Sequence, residues 1–145
     1  MQLTLYTDYA LRTLMYLAVC DDTATITEIA DHYHISRNHL VKVVDNLGRL
    51  GYITTTRGRQ GGLRLAHPPA SINLGEVVRR TEPNFHLVEC FDPENNQCVI
   101  TPACHLMGIL GKAFKAFLDH LDQHTLEDVT ANKKQLRKYL AIGPG

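Results

Sequence analysis

Residues 25–66 spell out one supersecondary unit in a fixed order, and that order limits what the chain can fold into. Thr25-Ile26-Thr27-Glu28 has the form of a capping box, where hydroxyl and carboxylate satisfy the free amides at a helix start. A short helix over 27–33 follows, His34-Ile35 makes a turn, and Ser36 caps a second helix reaching Leu50. Gly51 then supplies a left-handed stop. Tyr52-Ile53-Thr54-Thr55-Thr56 is rich in β-formers, 57–62 is a glycine-rich turn, and Leu63-Arg64-Leu65-Ala66 returns as a second strand. Helix, turn, helix and basic hairpin is the order of a winged helix-turn-helix.

The flanks complete that unit. Thr7 and Asp8 open a helix to about Val19, with Leu11, Leu14, Met15, Ala18 and Val19 at helical spacing. A short helix over 73–80 closes the unit, and Pro83 breaks it. A long loop, 84–104, carries two prolines, two adjacent asparagines and three cysteines, and a loop of that length calls for a functional reason. After it, Leu106, Leu110, Ala113, Phe114, Phe117, Leu118 and Leu121 form an apolar stripe on a helix of four to five turns. Thr125 caps a last helical region through Leu140. The expected fold is mainly α with a small β-hairpin: a winged helix-turn-helix over 1–82, a cysteine-rich cluster-binding loop over 83–104, and a long dimerisation helix with a C-terminal helical region over 105–145. A helix so apolar on one face needs a cover. Its own N-terminal domain could provide it, but the expected cover is the same helix of a second subunit, giving a two-fold homodimer.

Formal net charge is zero, yet the charge is unevenly spread. Between Ser36 and Leu65 lie Arg37, Lys42, Arg49, Arg57, Arg59 and Arg64 against a single acid, Asp45. Such a basic face on a winged helix-turn-helix suits double-stranded DNA. The second helix would enter the major groove with Ser36, Arg37, Asn38, His39 and Lys42 at its leading end, where arginine suits guanine and asparagine adenine. Arg57 and Arg59 at the wing tip suit phosphates or the minor groove. No segment could span a bilayer or act as a signal peptide, so a cytoplasmic protein is expected. No catalytic constellation is apparent, and an enzyme is not expected.

In a reducing compartment, cysteines point to metal binding or redox sensing before a structural disulfide. Cys90, Cys98 and Cys104 are spaced Cys-x7-Cys-x5-Cys, unlike the close pairs of structural zinc. Thiolates in one polar loop suit a soft centre such as an iron–sulfur cluster, which commonly takes four ligands. Cys20 ends an apolar helix face and reads as an ordinary buried thiol, while His86 and His105 read as loop histidines. Taken alone, Asp8 reads as an acid placed to favour a helix start.

The opening Met1-Gln2-Leu3-Thr4-Leu5-Tyr6-Thr7-Asp8-Tyr9-Ala10-Leu11-Arg12 resembles nitric-oxide-sensing repressors of the iron–sulfur winged-helix regulator family, which also contains IscR. So do Ser36-Arg37-Asn38-His39-Leu40-Val41-Lys42, the turn Arg57-Gly58-Arg59-Gln60-Gly61-Gly62, and Ile100-Thr101-Pro102-Ala103-Cys104. The likeness covers nearly the whole chain. It implies a homodimer on palindromic operators, with one cluster per subunit held by Cys90, Cys98, Cys104 and an aspartate of the other subunit. Asp8 stands where that aspartate is expected. The resemblance further implies release of DNA when nitric oxide attacks the cluster, and control of nitrosative-stress genes. Two features depart from the family. The first cysteine gap is longer than usual, and Met107 stands where IscR-like members carry the histidine that holds a 2Fe–2S centre. With Asp8, this favours 4Fe–4S; a 2Fe–2S, redox- or disulfide-sensing regulator is the alternative.

Overall fold

A computed structural model describes residues 2–58 and 61–143. The element order is α1 (Leu5–Val19), α2 (Ile26–Tyr33), α3 (Arg37–Arg49), β1 (Ile53–Thr56), β2 (Gly62–Leu65), α4 (Leu74–Thr81), α5 (His105–Leu121), α6 (Leu126–Val129) and α7 (Lys133–Tyr139). This is the mainly helical winged architecture that the sequence order implies, with the hairpin as its only sheet among the described residues.

The first helix begins earlier than its sequence suggests. Thr4, not Thr7, is the N-cap, and its hydroxyl accepts from the Thr7 amide. Thr7 itself is fully buried. The Thr25 capping box forms as expected, with Glu28 answering the Thr25 amide at 2.6 Å. Ser36 occupies the N-cap of α3, but its side chain makes no capping hydrogen bond. The expectation that its hydroxyl caps the helix is therefore corrected, and that hydroxyl stays on an exposed residue. Gly51 follows α3 with φ of 81°, the left-handed conformation a side chain resists.

One core gathers Leu14 and Leu17 of α1, Ile29 of α2, Leu40, Val43 and Leu47 of α3, Ile53 and Leu63 of the hairpin, and Val77 of α4. The hairpin pairs Ile53 with Leu65 and Thr55 with Leu63. Ala24, before α2, adds an antiparallel bridge to Leu63, with amide-to-carbonyl distances of 3.0 and 2.7 Å. That bridge fixes the wing to the helix-turn-helix.

The C-terminal region divides where one helical stretch was expected: α6 and α7 are separate, with Thr130 fully buried between them. Both fold back on the winged unit. Leu126 is fully buried in the core, and Leu140 and Ile142 pack against it. Arg137 donates to the Val19 carbonyl at 3.3 Å and pairs with Asp21. By contrast, α5 buries no residue within the chain, and Leu106 and Ile109 are 60% and 63% exposed. Its own domain therefore leaves much of that helix uncovered.

Because Leu126 closes the core from the far end of the chain, Leu126→Ala is expected to lower stability by about 2–5 kcal/mol, measured by urea unfolding.

Candidate DNA-reading surface and cysteine loop

Burial of Leu40, Val43, Val44 and Leu47 turns the opposite side of α3 outward. Ser36, Arg37, Asn38, His39 and Lys42 are all exposed on or beside it. α3 thus offers its first turn, with the positive end of the helix dipole, to a polyanion. Two neighbouring helices, α2 and α1, steady that face. Arg37 donates from Nε to the Thr27 hydroxyl of α2 at 3.3 Å, which leaves its terminal nitrogens free to form a paired contact. The ring of Tyr9 on α1 stacks on His39 with centroids 6.4 Å apart. Tyr6, one turn earlier, donates to the Lys42 carbonyl at 3.4 Å. Burial pushes the Tyr6 phenol above its ordinary value, so it stays a neutral donor. Thr27, Tyr6 and Tyr9 were not legible as supports, since each depends on a contact between helices.

Arg57 is exposed at the wing, beside Gly58 at φ of 112°. Arg59 lies outside the described residues. Arg64, on the outer face of β2 opposite Thr54, adds a further exposed cation near the wing.

The loop after α4 is ordered by its own polar groups. Two short 3-10 turns, Glu89–Phe91 and Thr101–Ala103, bracket it. Glu89 accepts from the Gln97 amide at 2.7 Å, and Asn96 from the Cys98 amide at 3.0 Å. The Asn95 amide holds the Asp92 carboxyl below the usual range, helped by the Glu94 backbone and His86. His86 faces Asp92 at 3.4 Å, and His105 is the exposed first residue of α5.

All four cysteines are free thiols. Cys90 and Cys104 line one cleft of about 640 Å³ with Phe91, Met107, Gly108 and Gly111, while Cys98 is exposed outside it. Cys104 is also the N-cap residue of α5, whose first amides receive no side-chain cap. Asp8 lies on α1, half-buried, with its carboxylate paired to Arg12 at 2.8 Å. Among the described residues of the single chain, no three histidine, cysteine or acidic groups converge as metal ligands would. The donor chemistry nonetheless fits an iron–sulfur centre: three unpaired thiols on one loop, two sharing a cleft, at an uncapped helix end that favours negative charge.

Comparison with known proteins adds the family. Residues 3–132 match Rrf2, described as iron-dependent transcriptional regulator. The chain is 52% identical over 143 residues to the HTH-type transcriptional regulator NsrR of Bacillus licheniformis, covering 97% of this chain and 100% of that protein. It is 51% identical over 144 residues to the HTH-type transcriptional regulator NsrR of Bacillus subtilis, covering 98% and 99%. Among solved structures it is similar to CymR (YrzC), the global cysteine regulator of B. subtilis, at 25% identity and TM-score 0.69 over 91% of this chain and 98% of that one. T. potens IscR, at 21% identity, shares the fold with a TM-score of 0.73 over 100% and 94%.

On an operator selected from random DNA, Arg37→Ala is expected to cost about 1–3 kcal/mol and relax discrimination at one base position. Arg57→Ala should instead weaken all sequences alike and reduce the slope of log affinity against log salt by about 1. Fluorescence anisotropy across a salt series separates the two.

Proposed function

The chain belongs to the Rrf2 family and is a transcriptional regulator, not an enzyme; on that footing we propose that it is a nitric-oxide-sensitive repressor, active as an iron–sulfur homodimer on palindromic operators. The reading rests on the junction between the winged unit and α5, where the three free thiols lie. Cys90, Cys98 and Cys104 would hold one 4Fe–4S cluster per subunit, with Asp8 of the partner subunit as the fourth ligand. When bound, the cluster supplies iron that nitric oxide can attack. The protein's part is to bind, to orient and to couple.

A carboxylate is a hard donor and a weaker partner for a soft centre than a thiolate, so Asp8 is the ligand most easily given up. Arg12 stands ready to receive it, already paired with Asp8 at 2.8 Å in the single chain. Asp8 lies on the same helix as Tyr6 and Tyr9, which bear on α3. Loss of that ligand therefore changes what holds the helix behind the reading face. A palindromic operator fixes the separation of its two half-sites, so a small change in the heads' spacing costs affinity. Release of DNA on nitrosylation, and so control of nitrosative-stress genes, follows from that reading. No helix among the described residues is long and apolar enough to cross a membrane; work in the cytoplasm is part of the proposal.

Thiol ligation is tested by anaerobic purification of Cys90→Ala, Cys98→Ala and Cys104→Ala with iron and sulfide counts. Each variant is expected to lose most of its iron, and full retention in Cys98→Ala would remove it from the ligand set. Resonance Raman spectra of the native protein distinguish 4Fe–4S from 2Fe–2S. Operator binding before and after nitric oxide, at fixed salt, is expected to fall by about 5–150-fold.

A further inference from the structure

α5 is held to the winged unit chiefly at one end. Asp122, its C-cap residue, receives both terminal nitrogens of Arg79 on α4, at 2.5 and 2.6 Å. The Asp122 carbonyl accepts from the Asn73 side chain at 2.7 Å, and Asn73 in turn caps α4 through the Glu76 amide at 3.0 Å. Two backbone bonds cross the same seam: Leu74 donates to the His124 carbonyl at 3.0 Å, and Leu126 to the Ile72 carbonyl at 2.9 Å. Gly75 makes the approach feasible, because a β-carbon there would stand 2.0 Å from the Asp122 carboxylate. Arg79 holds the Asp122 carboxyl below its ordinary range.

The other end of α5 is Cys104, its N-cap residue. Between the two caps, Phe85 meets Phe114 with ring centroids 5.4 Å apart, yet no α5 residue is buried. A helix of 17 residues is a stiff rod of about 25 Å. We propose that the Arg79–Asp122 pair, seated over Gly75, is the joint through which α5 carries the state of the cysteine loop to the DNA-reading unit. Displacement at Cys104 cannot be absorbed along the rod, so it arrives as a turn at Asp122. From there α4 passes it to the winged core through Val77, which is fully buried. Asp122, Arg79 and Gly75 are positioning residues in this scheme, and the inference rests on the cluster-sensing reading above.

The test compares wild type with Asp122→Asn, with Gly75→Ala, which keeps both charges but fills the seat, and with the exchange Arg79→Asp/Asp122→Arg. For each, operator affinity is measured before and after nitric oxide at fixed salt, alongside iron content. Hydrogen exchange of the Leu74 and Leu126 amides is measured on metal-free protein. Both single variants are expected to keep their iron, to exchange those amides about tenfold faster, and to cut the nitric-oxide ratio at least about fivefold. The exchange variant should recover part of the ratio. The joint is overturned if Gly75→Ala keeps the wild-type ratio, or if the ratio falls while both amides stay protected. A wild-type ratio near one would instead bring down the sensing reading, and the joint with it.

Discussion

The burial of α1 is the constraint on which the rest depends. Ala10, Leu14 and Val19 lie almost wholly out of water, and α3, α4, β2, α6 and α7 all pack against the helix. One rod therefore serves as the back wall of the reading head and as the seat of the C-terminal return. Its polar contacts divide between its ends. At the start, Glu82 accepts from the Thr4 amide at 2.7 Å and from its hydroxyl at 3.0 Å, and at the finish Arg137 grips the Val19 carbonyl. Glu82 directly precedes Pro83, where the cysteine loop departs, so the loop and the reading head share an anchor.

Much of this was legible because local chemistry and global packing agree. The Thr25–Glu28 box, the Gly51 stop and the β-rich run after it each act within a few residues, and sequence spacing captures such effects well. At the start of α1 the deciding partner lies far along the chain. Thr4 displaced Thr7 as the cap of α1 because Thr7 is drawn into the core, and Glu82 from the end of α4 fixes Thr4 in place. Ser36 looked like a cap by type and position, yet its hydroxyl takes no amide. The break between α6 and α7 falls at Thr130, the C-cap residue of α6, which is buried in the core with its hydroxyl donating back to the Leu126 carbonyl at 2.7 Å.

The candidate site divides the same way. Residue type and charge density were enough to mark the outward face of α3 as the candidate DNA surface, because a basic run on the second helix of a winged helix-turn-helix suits a polyanion. The supports behind it, Thr27 and Tyr9, are ordinary residues until their helices meet. For the cysteines, type and loop context marked candidate ligands, while their relative placement belongs to tertiary structure. Cys90 and Cys104 come to one cleft because the loop doubles back beneath α5, whereas Cys98 rides on the outer turn. Sequence spacing cannot reveal such a division.

The two-bond strap between Ala24 and Leu63 has a geometric consequence. It ties the base of the wing to the helix-turn-helix like the hinge pin of a caliper, since moving β2 away from the segment before α2 would break both backbone bonds. A single subunit thus presents the base of its wing and its helix-turn-helix to a duplex as one joined unit. Any retuning of reach along a DNA site must then be made outside that caliper, where one rigid body is set against the next.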